Sequence, residues 1–294
     1  MTRHALAGWA SIALGAGIAI GAVLGPLVTG VIRFRTSVNA ENQFIGGEVV
    51  SLAVVAPALV TAGVLWLREV RVAPALAVGP ALYAVYTYVT AVLGQEYSRY
   101  PGNVEKFFLL YAALMAGGAA VATMAGAALV GMELPPVPDR LRRFTAGLFL
   151  VIGAFFALAW LAQIRLVYAG EPPIEYEEGP TLFWLIKLLD LGFVIPALVA
   201  TGIGLVRRHP LATPAAYAMA TFATCMALAI AGMAVAMELR GDPASSPAML
   251  AFVLPVAGVL AVVTAKLLGA LVDVRPWAKG RLGPTVDWRA PHAR

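Results

Sequence analysis

Three ionisable side chains stand inside stretches that are otherwise apolar: Glu48 in FIGGEVVSLAVVAP, and Lys187 and Asp190 in FWLIKLLDLGFVIP. Two more, Arg33 and Arg165, close the apolar runs that precede these stretches. A charge facing hydrocarbon is costly, so these five groups are expected to turn inward and meet one another. Glu48 is expected to pair with Lys187, while Arg33 and Arg165 reach Glu48 and Asp190. Such a cluster is either an ion-pair clamp that fixes register or an outward-facing polar site for an ion or small polar solute. Lys187 and Asp190 are three residues apart, which puts both on one helix face within pairing range. Counting back from Val206 at about 1.5 Å per residue places Asp190 about 24 Å from that end, so about 6 Å below the outer edge of a 30 Å core. Lys187, one turn further out, can snorkel towards the rim. Pro57 and Pro196 lie deeper. Each lacks an N–H and crowds the carbonyl four residues earlier, which predicts a helix kink at both.

Other chemistry is scarce. His4, His209 and His292 sit at or beyond helix ends, so no pair of intramembrane haem ligands is available. HExxH, Walker A and GxSxG motifs are missing, and the acids of EPPIEYEEGP do not have the spacing of an EF-hand. No cofactor, metal site or catalytic residue is therefore expected, and an enzyme is the least favoured class. Cys225, the one cysteine, reads as a small packed residue.

The elements that must position the ionic groups follow from composition. Hydrophobic residues make up 61% of 294 and charged residues 13%, with a mean hydropathy of +0.83, a balance outside the range of a water-soluble domain. A bilayer core about 30 Å thick needs about 20 apolar helical residues. Eight such runs occur, at approximately 6–31, 45–67, 73–94, 107–131, 144–164, 182–206, 211–237 and 247–271. They must be helical, because lipid offers backbone groups no partner and the alternation of barrel strands is missing. The fold class is all-α, a polytopic bundle of eight transmembrane helices. The first run, from Ala5 to Ile32, is too long for the apolar core of a signal peptide and is expected to stay as a span.

With the N-terminus inside, thirteen Lys and Arg fall on the inner side and six on the outer, which predicts that both termini are cytoplasmic. The formal charge of +5 comes from helix-end residues and not from a basic stripe, so nucleic acid is not an expected partner. The lipid bilayer is, with anionic lipids at the cytoplasmic face; the basic tail at 272–294 can touch that leaflet. Glu171, Glu175, Glu177 and Glu178 crowd an outer loop that is a candidate surface for a protein partner. Gly17, Gly21 and Gly25 permit close helix approach, most simply inside the bundle. Tyr83, Tyr86 and Tyr88 read mainly as interfacial belt residues, with Tyr86 deep enough to line a pocket.

A shift of 139 residues lays 51–68 on 190–207 with eight identities: Leu52, Val55, Pro57, Ala58, Leu59, Val60, Gly63 and Arg68 meet Leu191, Val194, Pro196, Ala197, Leu198, Val199, Gly202 and Arg207. The first spans of each half match at a shift of 132, and the seven-residue difference falls in a loop. The chain thus reads as two parallel four-helix repeats, 1–131 and 144–271, joined by a cytoplasmic linker at 132–143. The repeat sets Lys187 against Glu48 and Asp190 against Ser51, and the second helices of the two halves are expected to meet near the pseudo-two-fold axis.

LLDLGFVIPALVATG at 188–202, with Arg207 and Arg208 behind it, resembles a segment of uncharacterised multi-span bacterial membrane proteins. The resemblance covers 188–208, implies the bacterial cytoplasmic membrane and implies no activity. Two functions fit. One is a non-catalytic structural or sensory membrane component whose charges are clamps. The other is a transporter or binding protein for an ion or small polar solute that uses Glu48, Lys187 and Asp190 and flexes at Pro57 and Pro196.

Overall fold

The computed structural model describes residues 2–272. All regular structure among them is helical, and eight helices are long and apolar enough to cross a membrane. The chain is an integral membrane protein with a lipid bilayer as its solvent. Beyond Val272 the basic tail lies outside the described residues.

The first span is α1 (Arg3–Leu24), capped by the Thr2 side chain on the Ala5 N–H. The second is composite. It begins with α2 (Val38–Val50), capped by Ser37, passes through a π-helical turn at Ser51–Val55 and ends with α3 (Ala56–Leu67). It starts seven residues before the expected position, because Asn39 and Asn42 are helical and find polar partners elsewhere in the chain. Then come α4 (Ala73–Leu93), α5 (Phe108–Gly131, entered by one 3₁₀ turn) and α6 (Asp139–Tyr168). A short α7 (Ile174–Glu178) occupies the acidic loop. The sixth span repeats the composite plan, with α8 (Pro180–Leu189), a π turn at Asp190–Val194 and α9 (Ile195–Val206). Helices α10 (Ala212–Leu239) and α11 (Pro247–Val272) complete the bundle.

Pro57 and Pro196 act through these turns. Each falls in the first turn of the α-segment that follows the π turn, where its missing N–H breaks no α-helical bond. Upstream the chain widens by one residue, with the Ala56 N–H bonded to the Ser51 carbonyl and the Ile195 N–H to that of Asp190. Where a kink is expected, the chain makes a π turn. The two turns start 139 residues apart, and so do the span ends that follow them: Glu69 (φ 57°) and Arg208 (φ 54°) are both left-handed. The N–H of the next residue closes each motif onto the carbonyl five back, Val70 to Leu65 and His209 to Gly204, both at 2.9 Å.

The third and seventh spans form the centre. In α4 and α10 about half of the apolar window is buried, against about a fifth for α5, α6, α8–α9 and α11. They pack on each other where Gly79 meets the Thr221–Phe222 backbone; a Cβ at Gly79 would lie 2.3 Å from Phe222 N. Helix α10 also packs along α2, where Gly46 and Gly232 touch backbone to backbone. The second and sixth spans therefore do not meet on an axis, as the sequence suggests; α4 and α10 lie between them. Gly17, Gly21 and Gly25 are used internally, the first two against Leu114 of α5 and the third against Glu48.

Candidate polar site at the rim of the sixth span

Helix α8 starts at Pro180, and its buried face presents Phe183 and, four residues on, Lys187. Lys187 is only 5% exposed. Its ammonium nitrogen sits between two rings, 3.8 Å from the Phe183 centroid and 4.1 Å from that of Trp160 on α6. This is a cation–π sandwich, whose strength grows as water is excluded. The ammonium makes neither a hydrogen bond nor an ion pair with any described residue, so three donor hydrogens lack a protein acceptor.

Asp190 follows one turn later, as the first residue of the π turn. Its Oδ1 accepts from the Tyr86 hydroxyl at 3.0 Å, and its Oδ2 accepts from the Trp160 indole Nε1–H at 2.8 Å. Trp160 thus holds both charged residues, the lysine through its face and the aspartate through its edge. The two lie in each other's electrostatic reach but form no ion pair within 4 Å. Gln163 stands one turn from Trp160 towards α7 on the same face of α6, as Lys187 stands one turn from Asp190 in that direction. The Gln163 Oε1 is buried and has no hydrogen-bond partner. Tyr176 of α7 covers this end of the cluster, edge-on to Phe183 at 5.3 Å and to Trp184 at 6.2 Å. The acidic loop is fastened by its backbone: Arg99 donates to the Glu177 carbonyl and the Tyr100 hydroxyl to that of Glu178, at 3.1 Å.

The remaining expected members are not brought into this cluster. Glu48 does not meet Lys187. Its Oε2 accepts the Leu27 N–H at 2.9 Å, just past the end of α1, and Gly25 leaves room for the carboxylate, since a Cβ there would lie 1.8 Å from Oε1. Arg33 and Arg165 are exposed and pair with neither acid. The N–H of Arg33 goes to the Asn103 side chain at 2.7 Å. It is Arg35 that is engaged, donating to both carboxylate oxygens of Glu105 at 2.6 and 3.0 Å. Ser51, which the repeat sets against Asp190, also meets a tyrosine of α4, with its Oγ 3.2 Å from the Tyr83 hydroxyl. Tyr83 and Tyr88 are buried, and Tyr86 serves Asp190, so this trio is internal and not an interfacial belt.

A second polar cluster lies outside the expected set. Asp242, 6% exposed, follows α10. It accepts from Asn39 Nδ2 at 3.0 Å, Asn42 Nδ2 at 2.8 Å and the Ala244 N–H at 2.9 Å. Arg240 Nε donates to Asn42 Oδ1 at 2.6 Å. Burial acts to raise the Asp242 pKa; the hydrogen bonds from Asn42, Ala244 and Asn39 oppose it and hold the carboxyl below its ordinary range. This cluster, and not Glu48 with Lys187, clamps the first half of the chain to the second. Its sequence signal is faint: asparagines beside an apolar run look like loop residues.

No family model, curated protein or solved structure matches this chain.

Proposed function

We propose that the chain is a transporter or binding protein for a small polar solute, built from two parallel four-helix repeats, with both ends on the cytoplasmic face of a bacterial membrane and the Lys187–Asp190 cluster facing outward. The observation that supports this most is Lys187: a largely buried lysine whose ammonium bonds to no described residue, one turn from a carboxylate, next to a π turn. Such turns are frequent at functional sites. Breaks at corresponding places in two halves of a membrane protein mark solute sites in transporters. The excess of basic residues at the end of the bundle opposite Lys187 supports the orientation.

A structural or sensory component is the second reading, and the Asp242 clamp with its close glycine crossings favours it. Lys187→Cys separates the two, because Cys225 is buried and gives little background. A membrane-impermeant maleimide applied to sealed vesicles is expected to label Cys at 187 from the face opposite the basic helix ends. Protection from both faces, while a control cysteine at the exposed Tyr168 reacts, overturns the solute site.

A further inference from the structure

At the basic end of the bundle, α9 and α10 diverge around a groove of about 490 Å³. Ala200, Ile203, Leu211 and Ala215 form its apolar wall, and Arg207 and His209 stand at its mouth. Ala200, Ile203 and Leu211 are also on the surface of the bundle, so the groove opens sideways, where a membrane-spanning helix meets lipid. The mouth is an unused donor array. The Arg207 guanidinium makes no hydrogen bond and no ion pair with any described residue, whereas Arg208 and Arg142 share Asp139. His209 Nδ1 accepts from the Leu211 N–H at 3.3 Å. That contact occupies Nδ1 and leaves Nε2 as the ring nitrogen open to a ligand.

An apolar wall at bilayer depth has acyl chains as its only abundant neighbour. A guanidinium with unused donors, beside an imidazole, matches the oxygens of a phosphate. Asp139 is already engaged, so no described residue neutralises Arg207. A headgroup with net negative charge is therefore a better complement than a zwitterionic one, which brings its own cation to the mouth. We propose that the α9–α10 groove seats an anionic phospholipid, with its acyl chain along Ala200, Ile203, Leu211 and Ala215 and its phosphate at Arg207 and His209. The proposal is independent of the solute reading, which concerns the other end of the bundle.

The test is native mass spectrometry of the full chain in detergent, titrated with phosphatidylglycerol or phosphatidylcholine of matched chains. Phosphatidylglycerol is expected to be retained at least fivefold better. Arg207→Gln is expected to reduce that preference about fivefold, the typical effect of one basic residue near a headgroup. Arg207 has no partner among the described residues, so this variant should fold normally, and the basic tail is common to both proteins. Ala200→Phe, which fills the wall, should lower retention of both lipids. Equal retention of the two lipids by wild type, or an unchanged preference in Arg207→Gln, overturns the proposal. Displacement of phosphatidylglycerol by millimolar inorganic phosphate also overturns it, since the wall would then contribute nothing.

Discussion

Asp190 and Lys187 sit side by side, yet each is held by a different kind of partner. Asp190 takes two hydrogen bonds from Tyr86 and Trp160; Lys187 takes two aromatic faces. Removing the carboxylate leaves two part-buried donors without their acceptor, at about 1–3 kcal/mol for each. Asp190→Ala is therefore expected to destabilise the purified protein by about 2–6 kcal/mol in detergent unfolding. Lys187→Met keeps the apolar stem and gives up only the cation–π term, about 0.5–2 kcal/mol. The double variant tells these contacts from a salt bridge: it should be no more stable than Asp190→Ala, whereas a clamp between the two residues would show rescue. The sequence makes the ionic groups conspicuous because charge stands out against an apolar run. Their partners are indoles, phenols and one backbone N–H, types that blend into any membrane helix, so the pairing of Glu48 with Leu27 had no local signal.

At the scale of elements, span number and helical character were legible because a bilayer imposes both length and hydrogen-bond closure on any run that crosses it. The prolines located the irregularities but not their form, since a kink and a π turn both absorb a missing N–H. The start of the second span was misplaced because Asn39 and Asn42 are polar; their helix is stabilised by Asp242, some two hundred residues away. The crossing of α2 with α10 is as tight as that of α4 with α10. A Cβ at Gly46 would lie 2.3 Å from the Gly232 carbonyl oxygen, and backbone cannot yield as a side-chain tip can. Gly46→Val is therefore expected to cost at least the 1–3 kcal/mol typical of overpacking, about 3 kcal/mol or more, read as a lower thermal midpoint. Gly126, with open space at its Cβ position, is the matched control, and Gly126→Ala should be neutral or slightly stabilising.

At the scale of the whole molecule, the two halves are joined through α2 and α4 on one side and α10 with its following loop on the other. Asp242 makes that junction pH-dependent. Its folded pKa lies below the unfolded value of about 3.9, so its contribution is complete above that value and is lost as the pH falls through the folded pKa. The thermal midpoint of the wild type should thus drop on acidification below about pH 4. Asp242→Asn should begin lower at neutral pH and show a smaller drop, and parallel curves for the two proteins would remove Asp242 from the junction. The central packing has a mechanical corollary. Glycine-tight backbone contacts of α10 with α4 and α2 leave no slack for sliding, whereas α6 and α8–α9, which frame Lys187, are among the least buried spans. Any gate at that rim must swing its jambs around a fixed post: α4, which presents Tyr86 to one widened helix and Tyr83 to the other, is the hinge pin on which both would turn.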